Sequence, residues 1–253
     1  MRLRARNLAH AYDGLAALGP LDLVVEAGER LAIVGPSGCG KSTLLAILGG
    51  LLRPSGGRVW FEGEAPSGSI VPVAYVFQDF ALLPWRTVAG NVALPLEGRL
   101  PRTEIRARVG AALARTGLSD FAGRFPRELS GGMRQRVGIA RALVVEPGVL
   151  LLDEPLSALD AQTRELLLED ILGLTEGATL VWVTHNLEEA VRVADRVILL
   201  SARPGRIRAE IAVPVPARER NRPEAVPVLA RLRGELWALL REDARRAQTE
   251  GPP

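Results

Sequence analysis

Cysteine is almost absent from this chain of 253 residues, since Cys39 is the only one. A single cysteine cannot form an intramolecular disulfide, which excludes the disulfide-stapled scaffolds of small secreted domains. A chain of this length can bury a sizeable core without such cross-links. We therefore expect one large domain or two small ones, in a reducing compartment.

Long apolar runs are missing as well. No segment of the sequence approaches the roughly 18 apolar residues that a membrane-spanning helix needs. Residues 1–14 contain no apolar core of signal-peptide length, so nothing in them indicates secretion. If the protein works at a membrane, we expect another polypeptide to span it.

Aromatic residues make up only 4% of the chain, and the net charge of +3 is a small difference between 32 basic and 29 acidic residues. Few rings are available to stack on nucleic-acid bases, and the interleaved charges are typical of a mixed solvated surface. We therefore expect no nucleic-acid partner. Lysine is also scarce, because Lys41 is the only one. A single lysine in an arginine-rich chain indicates a site that needs a compact ammonium group.

Short apolar runs separated by turn-forming residues predict the order of the elements. Strands are predicted at 1–9, 21–26, 31–34, 58–61, 73–77, 149–152, 179–183, 196–200 and 207–213, and helices at 41–48, 103–116, 137–143, 161–174 and 228–241. This order predicts an α/β fold with a doubly wound core and an inserted helical segment at about 87–145. A proline-containing linker and a helical tail occupy 211–253. We expect the tail helix to pack on the domain, because its polar face is mixed rather than uniformly basic.

The strongest motif is a glycine-rich loop that fits G-x-x-x-x-G-K-[ST] between a predicted strand and a predicted helix. Its residues are Gly35, Pro36, Ser37, Gly38, Cys39, Gly40, Lys41, Ser42 and Thr43. Backbone N–H groups and the positive end of the following helix bind phosphate oxygens in such loops. We expect Lys41 to reach the β- and γ-phosphates, Ser42 to offer its hydroxyl to Mg²⁺, and Cys39 to contribute only its backbone. The alternative is an ordinary glycine-rich turn.

Two acidic residues follow the apolar run 149–152. Asp153 and Glu154 lie at the carboxyl end of a predicted buried strand, where ligands bind in open α/β sheets. The Asp153 carboxylate is suited to binding Mg²⁺, and the Glu154 carboxylate is suited to acting as a base that polarises water. The alternative is a pair of acids at the start of the next helix.

A third motif begins with Leu129 and continues through Ser130, Gly131 and Gly132. Ser130 is a good N-cap, and the two glycines leave the amides of a helix start uncovered. With this LSGG run, the chain from about Leu3 to Arg208 resembles the nucleotide-binding subunits of the ATP-binding-cassette (ABC) transporters. The resemblance implies a phosphate-loop NTPase core with an N-terminal antiparallel β-subdomain and an inserted α-helical subdomain, within a cassette spanning 1–210. Met133 departs from the glutamine that many family members carry after LSGG.

The resemblance also assigns roles to four further positions. Gln78 is similar to the family's Q-loop glutamine, which contacts Mg²⁺ and the attacking water. His185, predicted one residue past a strand end, resembles the switch histidine that contacts the γ-phosphate, and Tyr12 resembles the aromatic residue that stacks on adenine. Asp160 matches the D-loop at the dimer interface. For Gln78, His185 and Tyr12 the alternative is an ordinary surface or structural residue.

The mechanism implied by the resemblance is a head-to-tail homodimer. Each ATP is held between the phosphate loop of one chain and Ser130–Gly132 of the other. Lys41, Glu154 and His185 are the implied catalytic residues, and Mg²⁺ is held at Ser42, Gln78 and Asp153.

The implied partners are two transmembrane permease subunits and an extracytoplasmic solute-binding protein, with the chain peripheral at the cytoplasmic face of the inner membrane. Segments 80–91 and 199–207 resemble the nitrate, sulfonate, bicarbonate and taurine importer group, although Trp85 could instead pack against a partner or the core. A soluble ABC ATPase of DNA repair or translation is the rival, disfavoured because the chain has one cassette and no sustained heptads between Lys41 and Ser130. A nucleotide sensor without turnover is disfavoured by the presence of Glu154 and His185.

Overall fold

The computed structural model describes residues 1–157 and 159–249. The strands are β1 (Arg2–Tyr12), β2 (Leu15–Val25), β3 (Arg30–Val34), β4 (Gly56–Glu62), β5 (Val73–Val76), β6 (Val149–Asp153), β7 (Thr179–Val183), β8 (Arg196–Leu200) and β9 (Ile207–Ala212). The helices are α1 (Lys41–Leu48), α2 (Val88–Ala93), α3 (Arg102–Arg115), α4 (Gly131–Leu143), α5 (Ala161–Leu174), α6 (Leu187–Val193) and α7 (Val226–Thr249). The chain divides into two compact units, one formed by residues 1–63 with the chain from 179 onwards, the other by 64–178.

The first unit contains an antiparallel sheet in which β1 lies between β2 and β4. β2 begins at Leu15, six residues before the predicted strand at 21–26. Gly19 and Pro20, residue types that are typical of turns, lie within β2 at an irregularity of its pairing. Leu8 pairs with Leu21 and His10 with Leu18, so β2 carries one extra residue between these pairs. Proline and glycine are tolerated at such bulges because ladder hydrogen bonds are interrupted there.

The same unit contains a mainly parallel sheet. β3 pairs with β7 on one side and β8 on the other, and β9 returns antiparallel along β8. Residues 31–34 and all of β7 are buried. The short apolar runs are therefore strands covered on both faces, as predicted. This arrangement places the loop between β3 and α1 at the carboxyl end of β3.

The tail helix packs on this unit. Leu229, Leu232 and Leu236 of α7 share a hydrophobic cluster with Leu187 and Val191 of α6, which confirms the predicted packing. α7 begins at Val226, two residues earlier than predicted, because a proline is tolerated in the first turn of a helix. The last four residues of the predicted tail, 250–253, lie outside the described residues. Within the described part of the chain, no helix is long and apolar enough to cross a membrane.

The second unit is built from β5 and β6, which are parallel, and from helices α2 to α5. α2, α3 and α4 fall within the predicted helical segment at 87–145. Their buried apolar residues form one cluster, which includes Val88, Val109, Leu113 and Val137. α5 has the predicted bounds, and its N-cap is Asp160. α4 begins at Gly131, directly after the predicted N-cap Ser130, and continues through the helical stretch predicted at 137–143.

Candidate functional site

The glycine-rich loop between β3 and α1 has the predicted flanks. Gly38 and Gly40 have φ angles of 76° and 97°, in the left-handed region that glycine adopts without steric cost. A Cβ on Gly40 would lie 2.8 Å from Leu18 Cδ2 and 2.9 Å from Ala17 O, so a side chain has no room there. The loop is therefore a tight backbone curl that leads directly into the positive end of α1.

Lys41 lies inside this curl. The residue is 6% exposed, and Nζ donates hydrogen bonds to the carbonyl oxygens of Gly35 and Pro36, both at 2.9 Å. Nζ also lies 3.9 Å from Cys39 Sγ. These partners are uncharged, whereas a phosphate oxygen forms a stronger, charge-assisted bond with an ammonium group. The site is therefore suited to an anion that replaces neutral partners of Lys41.

Cys39 is buried in the same loop, and burial raises the pKa of its thiol. The uncharged thiol is thus favoured over the reactive thiolate. This agrees with the expectation that Cys39 contributes its backbone to the loop.

Tyr12 lies at the end of β1, beside the first turn of α1. Its hydroxyl is 3.3 Å from Thr43 Oγ1, and its residue surface is 45% exposed. The ring of His10 meets the Tyr12 ring edge-on, with 4.5 Å between centroids. The structure therefore brings an exposed aromatic ring next to the phosphate loop, and its stacking on adenine stays a prediction.

His185 is the second residue beyond β7, not the first as predicted. The position in between is Thr184, whose backbone N–H still donates to Ile33 O at 3.2 Å and extends the parallel pairing. His185 is exposed, and the next residue, Asn186, caps α6 by accepting from the N–H groups of Glu188 and Glu189. His185 is thus fixed between the end of a buried strand and the start of a capped helix.

In the second unit, Asp153 is the last residue of β6 and is 8% exposed. Its Oδ2 accepts a hydrogen bond of 3.0 Å from the hydroxyl of Tyr75 on the neighbouring strand. Burial and the negative charge of Asp153 raise the pKa of Tyr75 well above its ordinary value. Tyr75 therefore remains a hydrogen-bond donor to this carboxylate through the physiological pH range.

Glu154 and Gln78 lie next to this pair. Gln78 Nε2 lies 3.5 Å from Glu154 Oε2, and Ser157 Oγ donates to the Glu154 carbonyl at 3.0 Å. Glu154 has a φ of 44°, a left-handed conformation that is costly for a residue with a side chain. The structure thus brings Asp153, Glu154 and Gln78 together, as the motifs predicted. It shows Glu154 in a turn after the strand rather than in the first turn of α5.

The start of α4 has the predicted cap. Ser130 Oγ accepts from the backbone N–H of Met133 at 3.3 Å, while Ser130 is exposed and Gly131 and Gly132 are half-buried. Asp160 caps α5 in the same way, accepting from the Thr163 N–H at 3.0 Å, and this bond lowers the pKa of its carboxyl group. Ala158, two positions before Asp160, lies outside the described residues.

These features are those of one family. A sequence profile of the family described as "ABC transporter" matches residues 18–157, more than half of the chain. The chain belongs to the ABC transporter family. The predicted family and its α/β fold are confirmed.

Two relatives and one solved structure illustrate the similarity of this ABC chain to known proteins. The aliphatic sulfonates import ATP-binding protein SsuB of Ralstonia nicotianae is 47% identical over 233 residues, which cover 90% of this chain and 78% of SsuB. The methionine import ATP-binding protein MetN of Caulobacter vibrioides is 46% identical over 216 residues, which cover 81% of this chain and 64% of MetN. The dimeric post-hydrolysis structure of the ATP-binding cassette MJ0796 with ADP and Pi is 34% identical, with a TM-score of 0.73 over 84% of this chain and 99% of that one. This ABC chain is an ATPase that acts in transport.

The motifs of this ABC chain did not indicate Tyr75. In the sequence, Tyr75 is distinguished only by its hydroxyl group in the otherwise apolar strand before Gln78. The pairing of β5 with β6 is what shows that this hydroxyl reaches Asp153. Groups that orient a carboxylate in this way tune its affinity for metal.

We expect Tyr75→Phe to raise the Mg²⁺ concentration for half-maximal ATPase activity roughly tenfold, since it removes one hydrogen bond and keeps the ring. The measurement is phosphate release against Mg²⁺ at saturating ATP. Ser119→Ala loses an exposed hydroxyl of the second unit outside the Asp153 cluster and should leave this midpoint unchanged. An unaltered midpoint in Tyr75→Phe would show that Tyr75 does not tune the carboxylate.

Sequence reasoning also missed what holds the loop after Gln78. Phe80 and Ala81 have φ angles of 62° and 43°, and the guanidinium of Arg141 on α4 donates to both of their carbonyl oxygens. The side chain of Asn91, fully buried in α2, donates to the carbonyl oxygens of Leu83, Arg86 and Thr87. It also accepts a hydrogen bond from the N–H of Leu83. These contacts make the segment a rigid part of the second unit.

Proposed function

We propose that this chain is the ATP-hydrolysing subunit of a membrane importer, peripheral at the cytoplasmic face of the inner membrane. The observation that carries the proposal is a phosphate loop containing Lys41, on a chain that also has the Ser130-capped, glycine-topped start of α4. A loop and dipole of this kind bind phosphate, and an uncovered helix start offers donors to a further phosphate group. The soluble ABC ATPases are not favoured, because the relatives SsuB and MetN are import ATP-binding proteins.

ATP is bound by residues 35–43, with the N–H groups of the loop and the Lys41 ammonium on the phosphates. Tyr12 supplies a ring for adenine, and its exposure leaves a face available for stacking. Ser130, Gly131 and Gly132 contact the ATP held by a second copy. The dimeric state of the MJ0796 cassette supports this arrangement, and Asp160 is assigned to the interface.

The described residues contain no group of three or more His, Cys, Asp or Glu that could hold a metal ion without other ligands. Magnesium needs no such cage, because it is held by few protein oxygens together with phosphates and water. The Asp153 carboxylate, the Ser42 hydroxyl and the Gln78 side-chain oxygen fit that chemistry and are the ligands we assign. When bound, Mg²⁺ supplies positive charge next to the transferring phosphoryl group.

Hydrolysis requires a water molecule to attack the γ-phosphorus. Glu154 orients this water and accepts its proton, while the bond from the γ-phosphorus to the β–γ bridging oxygen breaks and ADP leaves. Lys41 stabilises the negative charge on the phosphoryl oxygens, and His185 holds the γ-phosphate and the water in line. Loss of the γ-phosphate removes what joins the two copies, so the dimer opens.

The partners we infer are two permease subunits and an extracytoplasmic solute-binding protein. The solute is a sulfonate, nitrate, taurine or a similar small molecule. The 47% identity to SsuB, named for aliphatic sulfonates, supports this group, and the methionine importer MetN is similar in identity but covers less of this chain. The genes beside the one for this chain would identify the permease and the solute class.

Trp85 provides a test of the permease contact. It is 72% exposed, so the alternative that it packs in the core is wrong for the isolated chain, and Asn91 fixes the segment that carries it. We expect Trp85→Ala to reduce copurification of the permease at least roughly fivefold, because an exposed aromatic on a rigid loop is typical of an interface anchor. ATPase activity of the isolated subunit should be unchanged.

The matched control is Trp237→Ala, which removes a tryptophan of 57% exposure from α7. It should copurify as the unaltered chain does. Failure of the unaltered chain to copurify with any multi-spanning protein would contradict the importer assignment, whereas equal loss in both variants would contradict only the role of Trp85.

A further inference from the structure

The turn between β8 and β9, residues 201–206, is closed by its own hydrogen bonds. The N–H of Ser201 donates to Arg206 O at 2.9 Å, and the N–H of Arg206 donates to Ser201 Oγ at 3.1 Å. Ser201 Oγ also lies 3.0 Å from Ala202 O and 3.3 Å from Pro204 O, as a donor. One serine side chain thus ties together the backbone of the whole turn.

This turn is joined to β2. The N–H of Gly205 donates to Ala17 O at 3.0 Å, and the N–H of Gly19 donates to Gly205 O at 2.9 Å. Near Gly19 the pairing of β2 with β1 is interrupted, and the N–H of Gly19 forms its hydrogen bond with the turn instead. The position of Gly205 is fixed by two backbone hydrogen bonds.

Gly205 lies directly against the phosphate loop. A Cβ at this position would be 2.1 Å from the carbonyl oxygen of Cys39, far inside contact distance. Gly205 is buried and its φ lies outside the left-handed region, so glycine is needed here for space and not for conformation. Any side chain would push the backbone of Cys39, next to Gly40 and Lys41.

The loop is confined at two further points. A Cβ on Gly35 would lie 2.9 Å from Leu200 O, at the end of β8, and a Cβ on Gly40 would lie 2.9 Å from Ala17 O. The backbone of the loop is thus enclosed by β2, the end of β8 and the turn 201–206. These contacts all lie within the first unit.

We propose that the turn 201–206 is a positioning element for ATP binding, and that Gly205 sets the place of the Cys39 peptide without touching the nucleotide. The proposal rests on the function proposed above, in which this loop binds the phosphates of ATP. A loop that is held in its binding geometry before ATP arrives loses less conformational entropy when ATP binds. A displacement of about 1 Å is enough to misalign N–H groups that point at phosphate oxygens.

The test is Gly205→Ala in the full chain, with the dissociation constant of ATP measured by calorimetry well below the unfolding temperature. We expect it to rise at least roughly tenfold while circular dichroism remains that of the unaltered chain. The control is Gly123→Ala, a loop glycine whose added Cβ meets nothing within 4 Å, and its dissociation constant should be unchanged. A folded Gly205→Ala that binds ATP within twofold of the unaltered chain would overturn the proposal.

If Gly205→Ala does not fold, Ser201→Ala is the variant that tests the proposal. It adds no volume and removes the hydroxyl that closes the turn, so we expect KM for ATP to rise roughly threefold with kcat unchanged, because bound phosphates reorder the loop. A purely structural role of Ser201 would lower the unfolding temperature and leave KM of the folded enzyme as it was, which also overturns the proposal. Failure of the proposed function is distinguishable, because in that case Lys41→Ala would also retain ATP binding.

Discussion

Lys41→Ala is expected to abolish ATP turnover, lowering kcat/KM by roughly a hundredfold or more. Lys41 is 6% exposed, and the hydrogen-bond partners of its ammonium group are carbonyl oxygens of the loop. No other lysine exists in the chain to replace it. The substitution removes the buried positive charge that binds the phosphates. The measurement is phosphate release over a range of ATP concentrations.

Arg53→Ala is the control for Lys41→Ala. It removes the same charge from an exposed position shortly after α1, so any effect of net charge alone would appear in both variants. We expect Arg53→Ala to hydrolyse ATP at the unaltered rate. Undiminished hydrolysis in Lys41→Ala would refute the assignment of the loop as the phosphate site.

Glu154→Gln is expected to separate binding from chemistry. The amide has the shape of the carboxylate but cannot accept a proton from water, so ATP binding should persist while hydrolysis falls by roughly a hundredfold or more. Since ATP joins the two copies and its cleavage releases them, the variant should accumulate as a nucleotide-bound dimer. Size-exclusion chromatography with ATP, together with a phosphate-release assay, measures both effects.

The control for Glu154→Gln is Glu64→Gln, which makes the same change at an exposed residue of the second unit. It should hydrolyse ATP normally and show no added dimer. A Glu154→Gln variant that stays monomeric in ATP would contradict the model of ATP as the contact between copies. A variant that hydrolyses normally would instead remove Glu154 from the catalytic residues.

Several side chains at the candidate site were predictable because their chemistry is local. Residues 35–43 need only a strand before them and a helix after them, and both flanks can be read from apolar periodicity. Asp153 and Ser130 were predictable for the same reason, since a strand end and a helix cap depend on a few neighbouring residues. His185 lies two positions, not one, beyond Val183, where both the predicted strand and β7 end, because Thr184 stands between them.

Contacts between residues distant in the chain were not predictable. Tyr75 and Asp153 are 78 positions apart, and Arg141 reaches Phe80 across 61 positions. Gly205 is a further case, because strands were predicted on both sides of it but its close approach to Cys39 was not predicted. A periodic pattern shows which face of a strand is buried and does not show which strand lies beside it.

The amino-acid sequence by itself determined the family, the phosphate loop, the acidic strand end and the capped glycine pair, because each is a short run whose backbone geometry depends on its own residues. Only the tertiary structure decided which groups orient Asp153, what holds the segment after Gln78, and which turn encloses the phosphate loop. Those contacts arise from strand pairing and close packing, and distant residues meet only once the chain has folded.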